Sequence, residues 1–201
     1  MSDQNKVSGL VLAGGLARRM LHQDKGLILF NHQAMISYAL AAMSPLVDEL
    51  LISANRNIET YHQFGYRVIC DSHQVFDGPL AGILAGMKAA KHGILLVTPC
   101  DSPLIQARHL QRLLNAMDAG HELATAFDGE RLHPVFLAVS TRLQLSLSEY
   151  LHRGERKLEN WLNQHKLVKV DFSDEKEIFT NINTFDELHK LEQQVLLNPV
   201  S

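Results

Sequence analysis

The stretch "VSGLVLAGGLARRMLHQDKG", residues 7–26, decides the fold. Its beginning is rich in Val and Leu, which is typical of a strand buried in a parallel sheet. Two glycines follow at once, then two arginines and an Asp-Lys-Gly. In an open parallel sheet, ligands bind beyond the carboxyl ends of the strands. The stretch therefore predicts a first strand, residues 7–13, that carries a cationic, glycine-rich loop into a ligand crevice.

The chain beyond this strand continues as β and α patterns in alternation. Apolar strand patterns lie at residues 49–54, 66–70 and 93–101. Helical patterns lie at residues 35–43, 58–64, 79–90 and 107–117. Strands that are apolar almost throughout and alternate with helices indicate a parallel sheet covered on both faces.

The rhythm changes from Glu122 onward. "ELATAF" and "HPVFLAV" flank "DGER", which predicts a hairpin. Two helices at about 140–152 and 156–164, the strand "LVKVDF", a short extended piece and a last helix follow. Thr184 and Glu187 form a capping box for that helix. We expect one α/β domain over residues 1–201, a Rossmann-like three-layer sandwich with a mostly parallel central sheet.

The composition of the 201 residues is ordinary for a globular protein, with 46% hydrophobic and 20% charged residues. The net charge of −3 argues against a nucleic-acid partner. No apolar run reaches the roughly 20 residues that span a bilayer, so no membrane partner is expected. The polar start "MSDQNKVSG" and two cysteines without metal-site spacing, Cys70 and Cys100, predict a cytoplasmic protein with two buried thiols.

The loop after the first strand suits a polyphosphate. Gly14 and Gly15 let the main chain approach a ligand and point N–H groups at it. Arg18, Arg19 and Lys25 add positive charge. Neither G-x-G-x-x-G nor G-x-x-x-x-G-K-[ST] is present, so a solvated surface loop stays an alternative.

A carboxylate in "TPCDSP" supplies the second half of this site. Asp101 ends the predicted strand at 93–101, at the edge where the glycine loop leaves. Mg²⁺ prefers oxygen ligands and often takes one or two carboxylates plus substrate phosphates. We expect Asp101 to hold Mg²⁺, the predicted cofactor. The alternative is an Asp that caps the next helix.

These motifs resemble the nucleotidyltransferase family with a GT-A-like fold. The resemblance rests on "LAGGLARRM" with "DKG", on "CDSHQVFDGPLAG" and on "TPCDSP". It continues through "SANR", "DGERLHP", "EYLHRGERK", "VDFSD" and "NINTFDEL", and so covers nearly the whole chain. The later stretches favour the branch of molybdenum cofactor guanylyltransferases.

The resemblance implies transfer of GMP from GTP to molybdenum-molybdopterin, which yields the guanine dinucleotide cofactor and pyrophosphate. GTP, molybdopterin, other proteins of molybdenum cofactor biosynthesis and apo-molybdoenzymes are the implied partners. Two alternatives remain open. One is another nucleotidyltransferase of this fold, with a cytidylyl or sugar product. The other is a non-catalytic carrier of nucleotide or pterin.

The resemblance also implies the site residues. Lys25, Asp101 and Arg19 are expected to be catalytic, with Asp101 the metal ligand. The expected GTP contacts are Leu12, Ala13, Gly14, Gly15, Lys25, Ser53, Asn55, Asp71, Gly78, Pro79, Leu80 and Asp101. The expected pterin contacts are Arg156, Asn181 and Asn183, with Arg131, His133 and Lys157 as further cations.

These assignments divide the chain by substrate, with GTP bound by about residues 1–121 and the pterin by about 122–201. Asp71 is expected to accept hydrogen bonds from N1–H and the amino group of guanine. A ribose contact or simple loop capping are the alternatives for Asp71. Surface charge or a turn is the alternative for each of the expected pterin residues, including Arg131, Lys157, Arg156 and Asn183.

Overall fold

A seven-stranded sheet forms the centre of the protein. The computed structural model describes residues 6–13, 16–17, 23–71, 78–117 and 121–197. The strands of the central sheet are β1 (Val7–Leu12), β6 (Glu49–Ser53), β7 (Arg67–Ile69), β8 (Ile94–Pro99), β9 (Leu123–Phe127), β10 (Leu132–Ser140) and β11 (Leu167–Asp171). Two small ribbons are formed by β2 (Leu16–Ala17) with β3 (Gln23–Asp24) and by β4 (Leu29–Phe30) with β5 (Gln33–Ala34).

The strand order is β11-β9-β10-β8-β1-β6-β7. β1 pairs in parallel with both β6 and β8, and β7 extends the parallel run. β10 is antiparallel to β8 and to β9, while β11 is parallel to β9. Six of the seven strands therefore point the same way. Their carboxyl ends meet at one edge of the sheet, which is where the crevice was predicted.

Helices cover both faces of the sheet. They are α1 (Met35–Met43), α2 (Ile58–His62), α3 (Pro79–Ala89), α4 (Ala107–Met117), α5 (Gln144–His152), α6 (Leu158–Leu162) and α7 (Phe185–Leu197). One core holds the buried side chains of α1 and α4, and the opposite core holds those of α3, α5 and α6. Alternate residues of β1 serve the two cores: Val11 packs on the first and Leu10 on the second.

Glycines bring α3 unusually close to the sheet. A Cβ at Gly82 would lie 2.8 Å from Ser53 Oγ, and one at Gly86 would lie 2.5 Å from Leu10 Cδ2. Neither position has space for a methyl group, so the helix seats against β1 and β6 only because both residues are glycine.

A third, smaller core joins the last helix to the chain that follows β3. Ile28, Phe30 and Met35 pack against Leu188 and Leu191 of α7. The main chain of Asn31 also donates to Glu192 Oε1 at 2.8 Å. The carboxyl-terminal helix thus covers the segment that carries Lys25.

The predicted elements agree with the observed ones within a few residues, and the α/β class and mostly parallel sheet are confirmed. Two expectations are wrong. Ile178 and Phe179, expected in a short extended piece, belong to the 3-10 helix Lys176–Phe179, because their side chains pack into the core. Cys70 is exposed at the end of an edge strand, while Cys100 is buried as expected. Within the described ranges, no helix combines the length and apolar character needed to cross a membrane.

Candidate functional site

A lysine and an aspartate form an ion pair at the carboxyl edge of the sheet. Asp101 follows β8, and Lys25 begins the 3-10 helix Lys25–Leu27 after β3. Lys25 Nζ lies 2.9 Å from Asp101 Oδ2, and the two side chains are only 14% and 15% exposed. Because little water reaches the pair, the attraction is screened less than at an open surface. The sequence predicted both residues for one site, and the structure brings them together.

The same lysine also reaches the second half of the chain. Lys25 Nζ donates to Asn183 Oδ1 at 2.6 Å, across 158 residues of sequence. One ammonium group therefore joins a residue assigned to GTP, Asp101, with a residue assigned to the pterin, Asn183. The two predicted halves of the crevice are in direct contact at this nitrogen.

The segment before α7 lies along the loop after β8. Ile182 N–H donates to the main-chain oxygen of Asp101 at 3.1 Å. Ser102 Oγ donates to Asn181 Oδ1 at 2.6 Å. Asn181 and Asn183 therefore stand on either side of a main-chain bond that fixes their distance from Asp101. Ser102 was not among the predicted site residues, because a buried Ser carries no distinctive sequence signal.

The predicted capping box fixes the position of Asn183. Glu187 Oε2 accepts from Asn183 N–H at 2.7 Å and from Thr184 N–H at 3.1 Å. Glu187 N–H donates to Thr184 Oγ1 at 3.2 Å, which completes the box. The first turn of α7 thereby orients the side chain that meets Lys25.

Asn55 and Asp71 form a reciprocal pair at the ends of β6 and β7. Asn55 Nδ2 donates to Asp71 Oδ2 at 2.7 Å, and Asp71 N–H donates to Asn55 Oδ1 at 3.0 Å. The pair aligns the Asp71 carboxylate through its Oδ2. Asn55 is exposed and Asp71 is half-buried, so a ligand has access to them.

The remaining predicted GTP contacts lie at the strand ends and at the start of α3. Ala13 N–H donates to Ser53 O at 2.8 Å at the strand ends, and both residues are buried. Leu80 of α3 is fully buried in the core, so its side chain is not available to a ligand. Gly78, at φ +63°, precedes Pro79 at the start of α3. Positive φ is costly for other residues, which explains the glycine there.

Gly14, Gly15, Arg18 and Arg19 fall outside the described residues. Leu12 ends β1 beside Pro99. Arg156, in the loop between α5 and α6, donates from Nη1 to Leu151 O at 2.9 Å and to Glu155 O at 2.8 Å.

His133 differs from the expectation of a cation facing the pterin. It is buried and stacks on Phe179, with the ring centroids 3.9 Å apart. Its Nε2 lies 2.7 Å from Asp128 Oδ2, where the carboxylate can only accept. Asp128 Oδ1 accepts from the main-chain N–H groups of Glu130 and Arg131 at 2.9 and 2.8 Å. These donors, the Arg131 main chain first and His133 second, hold the pKa of Asp128 well below its usual range.

The donor set around Asp101 fits Mg²⁺ bound together with a nucleotide. Among the residues that the structure describes, no three His, Cys, Asp or Glu side chains gather as an all-protein metal cage requires. Mg²⁺ usually takes one or two carboxylates and completes its shell with water and substrate phosphates. The Asp101 carboxylate, 15% exposed beside the Lys25 cation, matches that pattern.

A buried carboxylate beside Lys25 was missed by sequence reasoning. Asp24 accepts hydrogen bonds from Tyr61 Oη, from Gly26 N–H at 3.3 Å and from Asn57 Nδ2 at 3.1 Å. The available signal was the Asp at the start of a short Asp-Lys-Gly turn, which is a favoured helix-capping position.

Comparisons with known proteins point to one group of enzymes. The family model "MobA-like NTP transferase domain" matches residues 9–170. The molybdenum cofactor guanylyltransferase of Shewanella sp. strain ANA-3 is 40% identical, over 94% of this chain and 97% of that protein. The enzyme of the same name from Shewanella loihica is 41% identical, over 97% of this chain and 99% of that protein.

A solved structure has the same fold. Molybdopterin-guanine dinucleotide biosynthesis protein A from Archaeoglobus fulgidus superposes with a TM-score of 0.78 at 23% identity, covering 94% of this chain and 99% of that chain. At this identity the similarity concerns the fold alone. The family model matches the sequence over residues 9–170, and the Shewanella relatives match it over nearly its whole length.

Proposed function

The chain belongs to the molybdenum cofactor guanylyltransferase family, and on that premise we propose that it transfers GMP from GTP to molybdenum-loaded molybdopterin with Mg²⁺ as cofactor. In this reaction a terminal phosphate oxygen of the pterin attacks the α-phosphorus of GTP. A new P–O–P bond forms, the bond between the α-phosphorus and the bridging oxygen breaks, and pyrophosphate leaves with that oxygen.

The chemistry requires charge compensation more than acid–base catalysis. A phosphate monoester is largely a dianion at pH 7, since its second pKa is about 6, so the nucleophile needs no general base. The protein must bring two anions together and stabilise the leaving pyrophosphate. Lys25 supplies a positive charge for the phosphates, and we expect Arg19 to supply another.

The contact of Lys25 Nζ with both Asp101 and Asn183 is the observation that carries this proposal. Asp101 would hold Mg²⁺, which when bound offsets negative charge on the phosphate oxygens. Asn183, with Asn181 and Arg156, would bind the pterin. The ammonium group that donates to Asp101 before GTP binds is the same group that is positioned to donate to phosphate oxygens afterwards.

The nucleotide base would lie toward β6 and β7. Asp71, aligned by Asn55, presents an acceptor for N1–H and the amino group of guanine, a donor pair that adenine does not offer. Ser53, Gly78, Pro79 and the main chain of Leu80 would surround the base or ribose. A cytoplasmic location belongs to the same proposal, because Cys70 and Cys100 are free thiols.

Pyrophosphate release tests the proposal. The protein is mixed with Mg²⁺ and GTP, ATP or CTP, each with and without molybdenum-loaded molybdopterin. We expect release only with GTP and the pterin together, and loss of release with a chelator that excess Mg²⁺ reverses. Release with CTP instead would identify a cytidylyltransferase. Binding of GTP without release under any condition would identify a carrier.

A further inference from the structure

A buried hydrogen-bond network lies under the turn that carries Lys25. Asp24, which precedes the lysine, is 8% exposed, and Tyr61 of α2 is fully buried. Tyr61 Oη donates to Asp24 Oδ1, and Asn57 Nδ2 donates to Asp24 Oδ2 at 3.1 Å. The carboxylate therefore ties the Lys25 turn to the helix that follows β6.

The turn itself is built around this carboxylate. Asp24 is the cap of the 3-10 helix Lys25–Leu27 and accepts from Gly26 N–H at 3.3 Å. A Cβ at Gly26 would lie 2.6 Å from Tyr61 Oη and 3.4 Å from Cys100 Sγ. The tyrosine hydroxyl thus fills the space beneath the turn, and only glycine at position 26 leaves room for it.

Tyr61 also lies near the end of the first strand. Its hydroxyl is 3.5 Å from Ala13 O, at the residue where the glycine loop begins. Burial, the largest cause, and the neighbouring Asp24 carboxylate raise the pKa of Tyr61. The hydroxyl consequently stays a donor throughout the physiological pH range.

We propose that Asp24 and Tyr61 are positioning residues that hold the Lys25 turn so that Lys25 Nζ meets both Asp101 and Asn183. A lysine side chain has four rotatable bonds and is a flexible point charge. Its charge can sit between two partners from remote segments only when the main chain beneath it is fixed. The inference rests on the proposed function, because it takes Lys25 to bind the phosphates of GTP.

Tyr61→Phe is the decisive variant because it removes one hydroxyl and leaves the buried ring. Asp24→Asn keeps the size of the side chain but replaces an acceptor oxygen by a donor amide, and should act in the same way. Ser8→Ala is the matched control. Ser8 is fully buried and donates its hydroxyl to a carboxylate, Glu49 Oε1, at 2.6 Å, at the opposite end of β1.

Calorimetry measures the affinity for Mg²⁺-GTP. Each substitution is introduced into the parent and, as a double variant, into Lys25→Ala. We expect Tyr61→Phe to weaken binding about tenfold in the parent and less than twofold in Lys25→Ala, because residues that act through one group are not additive. Ser8→Ala should change the affinity in neither background. An equal loss in both backgrounds, or no loss in the parent, would overturn the inference.

Amide hydrogen exchange separates this inference from the proposed function. Exchange of the Gly26 N–H should speed up at least tenfold in Tyr61→Phe and stay unchanged in Ser8→Ala, whether or not GTP binds. If the parent protein binds no GTP, the proposed function fails while the exchange result still decides whether Tyr61 holds the turn. Unchanged exchange in Tyr61→Phe would refute that role.

Discussion

Asp101 and Asp128 follow the strands β8 and β9, which point the same way and end at the same edge of the sheet, yet their surroundings differ. Asp128 accepts from two main-chain N–H groups and from His133, which is itself held against Phe179. Among the residues that the structure describes, Asp101 has one charged partner, Lys25, on one oxygen, and Lys25 is shared with Asn183. A strand-end aspartate is therefore not enough to identify a site. The number of partners already bound to the carboxylate separates a structural residue from one that is available to a ligand.

Asp101→Asn should produce the largest effect on turnover. Without the carboxylate, the proposed Mg²⁺ ligand is lost, and we expect pyrophosphate release to fall by about a hundredfold or more. The melting temperature should fall only modestly, because the amide oxygen of the variant can still accept from Lys25 Nζ. Asp128→Asn should show the opposite pattern, with a lower melting temperature and turnover within a few-fold of the parent. Turnover near the parental rate in purified Asp101→Asn would contradict its role.

Lys25→Ala should produce the next largest effect. Loss of a charge-assisted contact costs on the order of 1.5–3 kcal/mol, which corresponds to roughly 10- to 150-fold weaker binding of GTP. Calorimetric titration with GTP in the presence of Mg²⁺ measures it. Lys176→Ala is a suitable control, because Lys176 pairs with Glu130 on an exposed surface. Equal GTP affinity in Lys25→Ala and the parent would remove Lys25 from the triphosphate site.

Substitutions in the two halves of the chain should affect different substrates, with several-fold changes in affinity. Arg156→Ala should raise the concentration of molybdopterin needed for half-maximal rate and leave GTP affinity near the parental value. Asn183→Ala should raise the same concentration and also weaken GTP binding slightly, because Asn183 accepts from Lys25. Asp71→Ala should weaken GTP binding and leave the pterin requirement unchanged. Separate titrations with each substrate measure this. The assignment of halves is wrong if Asn183→Ala and Arg156→Ala both lose GTP while they keep the pterin.

The acid dependence of stability should produce the smallest effect. The folded pKa of Asp128 lies below its unfolded value of about 3.9, so its contribution to stability is present above that pH and is lost as the pH falls. The difference in melting temperature between the parent and Asp128→Asn should therefore be largest near neutral pH and shrink toward pH 3. A difference that grows in acid would show that Asp128 is not stabilised in its charged form.

The sequence predicted the elements of the fold well because their signals are local. Helices such as α1 and α4 and the capping box of α7 match the predictions closely. Apolar periodicity and capping residues act within a few positions of the chain. The exposed Cys70 was missed because strand order, which depends on the whole chain, places β7 at the edge of the sheet.

The site was predicted in its residues but not in its contacts. Lys25, Asp101 and Asn183 were all named, yet a pattern along the chain does not reveal that one nitrogen touches residues 76 and 158 positions away. The structural role of His133 was missed, and the residue was assigned to the pterin instead. Its packing on Phe179 depends on the 3-10 helix that the sequence did not predict. Contacts between distant segments depend on topology, which no local signal contains.

Transfer of a label from GTP tests the central claim most directly. GTP labelled at the α-phosphate is incubated with Mg²⁺, molybdenum-loaded molybdopterin and the parent, Asp128→Asn or Asp101→Asn. We predict that the parent and Asp128→Asn move the label into a pterin-guanine dinucleotide, with one pyrophosphate released per label transferred, and that Asp101→Asn does not. Label that stays in GTP with the parent, or reaches the dinucleotide equally well with Asp101→Asn, would contradict the account.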